Sequence, residues 1–255
     1  MGRVLAITNQ KGGVGKTTTS INLAATLAKT RRRVMLIDID PQGNATMGSG
    51  INKENVVGST YGVLLGEHTI EAARVTTEAG YDVVPANGSL SGAEVELVEI
   101  EGREHRLRNA LDAVRDQYDF ILIDCPPALN LLTVNALVAA QSVMIPMQCE
   151  YYALEGLTAL LNTIRKIRET LNPQLQIEGL LRTMYDPRNN LDNEVSAQLQ
   201  QHFGDKLYRT IIPRNVRLAE APSYGKPVVT YDLQSKGAQA YLALAGEMLK
   251  RGEAA

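Results

Sequence analysis

A doubly wound α/β fold, with a mostly parallel sheet and helices on both faces, is what this sequence predicts. Short β-rich runs recur at VLAIT from Val4, VMLID from Val34, YDVVP from Tyr81, FILID from Phe120, SVMIPM from Ser142 and IEGLLRTMY from Ile177. Between them, apolar residues fall at helical spacing in INLAATLAK from Ile21, HRLRNALDAVRDQ from His105 and LEGLTALLNTIRKIRETL from Leu154. Strands alternating with helices point to parallel pairing under two helical layers.

The 255 residues are enough for one sizeable core, and no boundary or repeat divides them, so a single domain over residues 1–255 is expected. Hydrophobic residues make up 44% and charged residues 21%, with no Trp and two Phe, so the core has to rest on Val, Ile, Leu and Ala. Asn44 to Gly66, rich in Gly, Asn, Ser and Thr, reads as a long mobile connection, and the small polar tail from Arg251 to Ala255 as frayed. A formal net charge of -2 excludes coating nucleic acid by overall charge, so any such contact has to be a local patch. Cys125 and Cys149 have no metal-ligand spacing and read as buried thiols in a reducing setting. Val4 follows the amino terminus without a charged leader, and no apolar run approaches the roughly 18 residues of a membrane span, so a soluble, unexported protein is expected.

Chemistry is densest in ITNQKGGVGKTTTSINLAATL, which supplies a strand, a glycine loop and a helix in order. Gly12, Gly13 and Gly15 let consecutive amides converge on phosphate oxygens without a side chain between, and Val14 contributes backbone. Lys16 suits the β and γ phosphates, and Thr17, followed by Thr18 at the helix start, suits Mg2+. This is the chemistry of a P-loop for ATP. The general pattern asks for glycine at position 10, where Gln10 stands, and an additional lysine, Lys11, follows it. Carboxylates also stand at the ends of two further apolar strands: Asp38 and Asp40 at the second, and Asp124 at the end of FILID. Asp124 fits a Mg2+-holding aspartate, the competing reading being a cap for the next helix. Pro126 and Pro127 end that strand.

KGGVGKTT from Lys11, LIDIDPQGN from Leu36 and ILIDCPP from Ile121 together resemble the deviant Walker A ATPases of the ParA and MinD group. The resemblance covers essentially the whole chain. It implies that Lys11 reaches a partner's nucleotide across a homodimer, that Asp40 orients or polarises the attacking water and ligates the metal, and that Asp38 supports the metal shell. It places adenine contacts near LLRTMYD and IIPRN, making Met184, Pro213 and Asn215 candidates, each of which could equally be a plain loop or core residue.

Within the group, MYDPRNNL and IIPRNVRLAEAPSYGKPV are similar to the short chromosomal ParA (Soj) type. That type implies cytoplasmic, nucleoid-associated dimers that bind nonspecific double-stranded DNA when ATP-bound, with weak hydrolysis stimulated by a ParB-like centromere-binding partner. Arg188, Lys206, Arg217 and Lys226 are the DNA candidates. Arg182 to Lys236 holds eight basic against six acidic residues, which demonstrates no patch. Only ten residues precede Lys11, so the helix-turn-helix domain of longer plasmid types is not expected. The alternative, a MinD-like positioning ATPase on a membrane or scaffold, calls for a basic amphipathic carboxyl-terminal helix, whereas AYLALAGEMLKRGEAA has two basic residues and an alanine-rich face. An iron-protein relative would need a cluster-bridging cysteine set farther from Asp124 than Cys125, and a tyrosine-kinase relative a tyrosine-rich tail.

Overall fold

In the computed structural model, which describes residues 2–253, seven strands form one sheet in the order β3-β4-β2-β5-β1-β6-β7. They are β1 (Arg3–Ile7), β2 (Val34–Asp38), β3 (Val75–Thr76), β4 (Asp82–Val84), β5 (Phe120–Asp124), β6 (Ser142–Met147) and β7 (Gln176–Arg182). Every neighbouring pair is parallel except β3 with β4. Six strands match the apolar runs; the two-residue edge strand β3 is too short and too exposed to leave a pattern.

Alternation of side chains across the pleat builds a core on each face. Val4 and Ala6 of β1, Met35 and Ile37 of β2, and Ile121 and Ile123 of β5 enter one core. Leu5 and Ile7, Val34 and Leu36, and Phe120 and Leu122 enter the other. Both faces are therefore dry, which is why these strands read as unbroken apolar runs. Pro146 is accommodated in the inner strand β6 two residues past the last β1 partner, Met144.

The helix Lys16–Lys29 lies between the sheet and the carboxyl-terminal helix Lys236–Glu253, and buries residues all round. Thr19 meets the Tyr241 hydroxyl at 3.1 Å, and Asn22 Oδ1 accepts from Val228 N at 2.7 Å. The apolar face of the last helix, with Tyr241, Leu244, Ala245 and Met248, is spent on this packing. No helix among the described residues is long and apolar enough to cross a membrane.

Three expectations are corrected. Asn44 to Gly66 is folded, with helices Asn44–Gly48 and Thr60–Leu65 and a 3-10 turn Lys53–Asn55 between them. Its polar residues serve as internal partners: Thr46 bonds the Asp38 carboxylate, and Thr60 Oγ1 donates to Asp38 O at 2.7 Å. The tail is likewise held as far as it is described. Arg251 donates to the carbonyls of Asp205 and Leu207, pairs with Glu247 at 2.8 Å and lies over the Tyr208 ring; residues 254 and 255 lie outside the described residues. The helical pattern from His105 is also shorter than its run, forming Arg106–Asp112 flanked by 3-10 turns.

At the amino end of β7, buried Asn172 places its Nδ2 on the carbonyls of Leu137, Val138 and Ala140 at 2.9, 3.2 and 2.7 Å. These carbonyls end the helix Leu131–Ala139 and have no helical donor of their own. Asn172→Ala is expected to lower unfolding free energy by about 1–3 kcal/mol in urea titrations, with nucleotide affinity unchanged.

Candidate active site

Strand register assembles the site. Ile7, the last residue of β1, pairs with Asp124, and Asp38, the last residue of β2, pairs with the same Asp124. The carboxyl ends of three central strands thus stop level, and the chain leaves β1 into the glycine loop at the point where the connections reverse direction. In open parallel sheets that crevice is the ligand position.

The loop is pinned from both sides. Asn9 Nδ2 donates to Pro146 O at 2.9 Å and Asn9 Oδ1 accepts from Lys11 N at 3.0 Å. Thr183 Oγ1 donates to Val14 O at 2.8 Å. Gly13 and Gly15 have φ of 75° and 84°, left-handed backbone that glycine adopts freely. A Cβ on Gly12 or Gly13 would meet nothing within 4 Å, so the loop keeps an open concavity over the start of the helix.

Lys16 opens that helix, 6% exposed, with its Nζ donating to Lys11 O at 3.0 Å. Desolvation lowers its pKa, opposed chiefly by Asp124 and more weakly by Cys125 and Asp40. One turn carries two hydroxyls to one carboxylate: Thr17 Oγ1 donates to Asp124 Oδ2 at 2.8 Å, and Ser20 Oγ to Asp124 Oδ1 at 2.7 Å. Thr18 follows Thr17 in the first turn, and its carbonyl accepts from Asn22. Asp124 is fully buried, and desolvation followed by repulsion from Asp38 raises its pKa to about 8. Asp38 is raised to about 6 by desolvation, against the bonds from Thr46 and the Asp40 amide. Its hydrogen bonds run to the Thr46 amide and hydroxyl at 2.8 and 2.7 Å and to Asp40 N at 3.2 Å, away from the P-loop. Asp40, just beyond β2, is 9% exposed and accepts from Gln42 N at 3.0 Å.

Among the described residues no cluster of three or more metal-ligating His, Cys, Asp or Glu exists. That donor set still suits Mg2+, which is held by one or two carboxylates together with phosphate oxygens and water rather than by an all-protein cage. Hydroxyl and carboxylate oxygens at Thr17 and Asp124 are of the required hard type.

The adenine candidates are partly brought together. Met184 follows the loop-pinning Thr183, adopts φ 50° and takes a 3.0 Å contact from Gln148 Nε2 on its sulfur. Tyr185 bridges to Pro213. Asn215 Oδ1 is buried without a hydrogen-bond partner, an acceptor suited to a ligand amine. Lys11 turns back to an ion pair with Glu150 of its own chain. The DNA candidates sit on separate segments: Arg188 is paired with Asp186 at 2.7 Å, Arg217 with Glu220 and Asp232 at 2.8 and 3.2 Å, while Lys206 and Lys226 form no ion pair among the described residues. Both cysteines are buried, and burial pushes the Cys149 thiol up to about 11.

Ser20, Thr46 and Thr183 escaped the sequence reading. Ser20 had one available signal: three positions after Thr17 on a helix, it shares that hydroxyl's face. Thr46 and Thr183 act across long separations that spacing does not reveal.

Fold and site define a P-loop nucleotide-binding protein, and residues 2–177 match the AAA domain family. The chain is 56% identical over 253 residues to the sporulation initiation inhibitor protein Soj of Bacillus subtilis, covering 99% of this chain and 100% of that one. It is 55% identical over 252 residues to the chromosome partitioning protein ParA of Caulobacter vibrioides, covering 98% and 94%. Among solved structures, cobyrinic acid a,c-diamide synthase from Mycobacterium smegmatis with bound ADP and magnesium superposes with a TM-score of 0.87 at 38% identity, over 99% and 96% of the two chains. The chain belongs to the ParA/Soj family of chromosome-partitioning ATPases.

Left-handed backbone separates two of the loop glycines. Gly15→Ala is expected to lower unfolding free energy by about 1–2 kcal/mol in urea, because its φ is 84°. Gly12→Ala, with no such φ and no close neighbour, is expected to leave stability unchanged.

Proposed function

We propose that the chain, as a single domain, binds Mg-ATP, dimerises around it, holds DNA without sequence preference in that state, and lets go after hydrolysis. The observation that carries this reading is the closed set of Lys16, Thr17, Ser20 and Asp124 beneath the glycine loop. Loop amides and Lys16 would hold the β and γ phosphates, and Thr17, Asp40 and Asp124 would hold Mg2+, partly through water, with Asp38 behind the metal shell on the neighbouring strand. Bound Mg2+ supplies positive charge that offsets the phosphate charge. Asp40 would orient or polarise the attacking water. Met184, Pro213 and Asn215 would form the base pocket, with Asn215 Oδ1 accepting from the adenine amine.

Lys11 is assigned to the partner's nucleotide. Its side chain is 41% exposed and Glu150 48%, so the ion pair it leaves is worth on the order of 0–1 kcal/mol. A cation delivered across an interface in this way accelerates phosphoryl transfer by factors on the order of 10³–10⁵ in the arginine case. Intrinsic hydrolysis is assigned as weak, with a ParB-like centromere-binding partner stimulating it. DNA contact is assigned to Arg188, Lys206, Arg217 and Lys226, and joining two subunits raises the effective concentration of each weak patch. The resulting location is the cytoplasm, on the nucleoid. A MinD-like membrane role is disfavoured by the burial of the apolar face of the last helix.

Lys16→Ala is expected to abolish ATP binding in calorimetry. Asp40→Ala is expected to bind ATP and dimerise in light scattering, bind DNA, and release no phosphate; free hydrolysis by Asp40→Ala would overturn its role. Wild-type DNA affinity, compared across ADP, ATP and a nonhydrolysable analogue, is expected to rise only with the triphosphates, and equal affinity in all three would refute the switch.

A further inference from the structure

The segment that starts at the base candidates Pro213 and Asn215 runs on through the helix Val216–Glu220 and the 3-10 turn Ala221–Tyr224. At its end stands Tyr224, 65% exposed, with its ring stacked on Tyr231 at 5.0 Å between centroids and 30° between planes. Tyr231 is the half-buried member of the pair, and its hydroxyl donates to Glu220 at 3.4 Å. Gly225 N on Pro222 O at 3.0 Å and Lys226 N on Ala221 O at 3.2 Å close the turn. It is also fixed from outside: a Cβ on Gly225 would lie 2.8 Å from Gly50 Cα, so the turn packs backbone to backbone on the folded segment that follows β2. Tyr224 is therefore presented outward from a seated turn.

Charge around the stack has one sign to spare. From Arg214 to Lys236 four basic residues stand against two acidic ones, in a chain of formal net charge -2. Both acidic residues, Glu220 and Asp232, are engaged by the same Arg217, at 2.8 and 3.2 Å. Lys226, two positions past Tyr224, is exposed and forms no ion pair among the described residues. An aromatic ring that carries a hydroxyl and stands among cations matches a sugar-phosphate backbone, which offers anionic oxygens to the cations and hydroxyl and an apolar sugar face to the ring.

We propose that Tyr224, braced by Tyr231, is a non-ionic contact to the DNA backbone, its ring against a deoxyribose and its hydroxyl on a phosphate oxygen. The proposal rests on the DNA-binding reading above and adds to the surface of Arg217 and Lys226 a residue whose contribution does not come from charge. Cations hold DNA through counterion release, which salt weakens. The tyrosine contact releases no counterion, so it keeps part of the affinity at higher ionic strength. It remains one weak contact per subunit, so firm holding still needs the two subunits joined around ATP and ends when they part.

The test is fluorescence anisotropy of a short labelled duplex with the full chain and a nonhydrolysable ATP analogue, across a salt series. Tyr224→Ala is expected to weaken binding about tenfold, the size of one hydrogen bond to a charged acceptor, and to leave the log-log salt slope at its wild-type value. Lys226→Gln is expected to weaken binding and to flatten the slope by about 0.9. Tyr224→Phe, which keeps the ring, should lose less than Tyr224→Ala. Tyr224→Lys should steepen the slope by about 0.9, because a cation set there meets a phosphate, and this readout does not depend on the alanine variant. Circular dichroism and dimer mass by light scattering are expected to match wild type. Undiminished affinity in Tyr224→Ala, or an unaltered slope in Tyr224→Lys, overturns the assignment while leaving the ATP-dependent DNA switch intact. Loss of dimer mass in Tyr224→Ala gives the stack to the subunit seam and overturns the assignment too. A wild-type dimer that binds no duplex overturns the DNA-binding reading beneath it.

Discussion

A single buried carboxylate, Asp124, sets the terms for the nucleotide end of this molecule. Parallel register places it level with Asp38 and with the last residue of β1, where no solvent reaches it. An unpaired charge there would be costly, and the fold meets that cost with two hydroxyls from one helical turn and the nearby Lys16 ammonium. Because Thr17 and Ser20 belong to the helix that follows the glycine loop, satisfying Asp124 also fixes where that loop sits. Desolvation and the neighbouring Asp38 raise its pKa, so added positive charge at this point favours the ionised form.

The same economy runs outward through the shell. Asp38 turns away to Thr46, which ties the helix Asn44–Gly48 to the strand end and gives the segment after β2 a fixed position. Asp40 is thereby presented at the crevice, while its own carboxylate caps the Gln42 amide. On the other side Thr183 links the loop to the end of β7, so the candidate base pocket around Met184 and Pro213 is coupled to the loop through one hydrogen bond.

How much of this was legible depends on what each residue faces. Strands covered on both sides carry continuous apolar runs, so β1, β2, β4, β5, β6 and β7 could be read directly, and the glycine spacing with Lys16 and Thr17 marked the loop. The segment from Asn44 to Gly66 misled because Thr46 and Thr60 have loop-like chemistry but spend it on buried carboxylate and carbonyl partners. Arg251 misled for a related reason, since its partners lie more than forty residues back in the chain. Arg188 and Arg217 looked like free cations in the sequence, and their ion pairs to Asp186, Glu220 and Asp232 appear only once the chain is folded.

Asp124 is the proposed metal-side anchor of the triphosphate site. Calorimetry of ATP binding with and without Mg2+, on wild type and Asp124→Asn, addresses this directly. Wild-type affinity should rise when Mg2+ is added, and Asp124→Asn should still bind ATP while losing most of that rise. An undiminished Mg2+ effect in the asparagine variant would contradict the central claim.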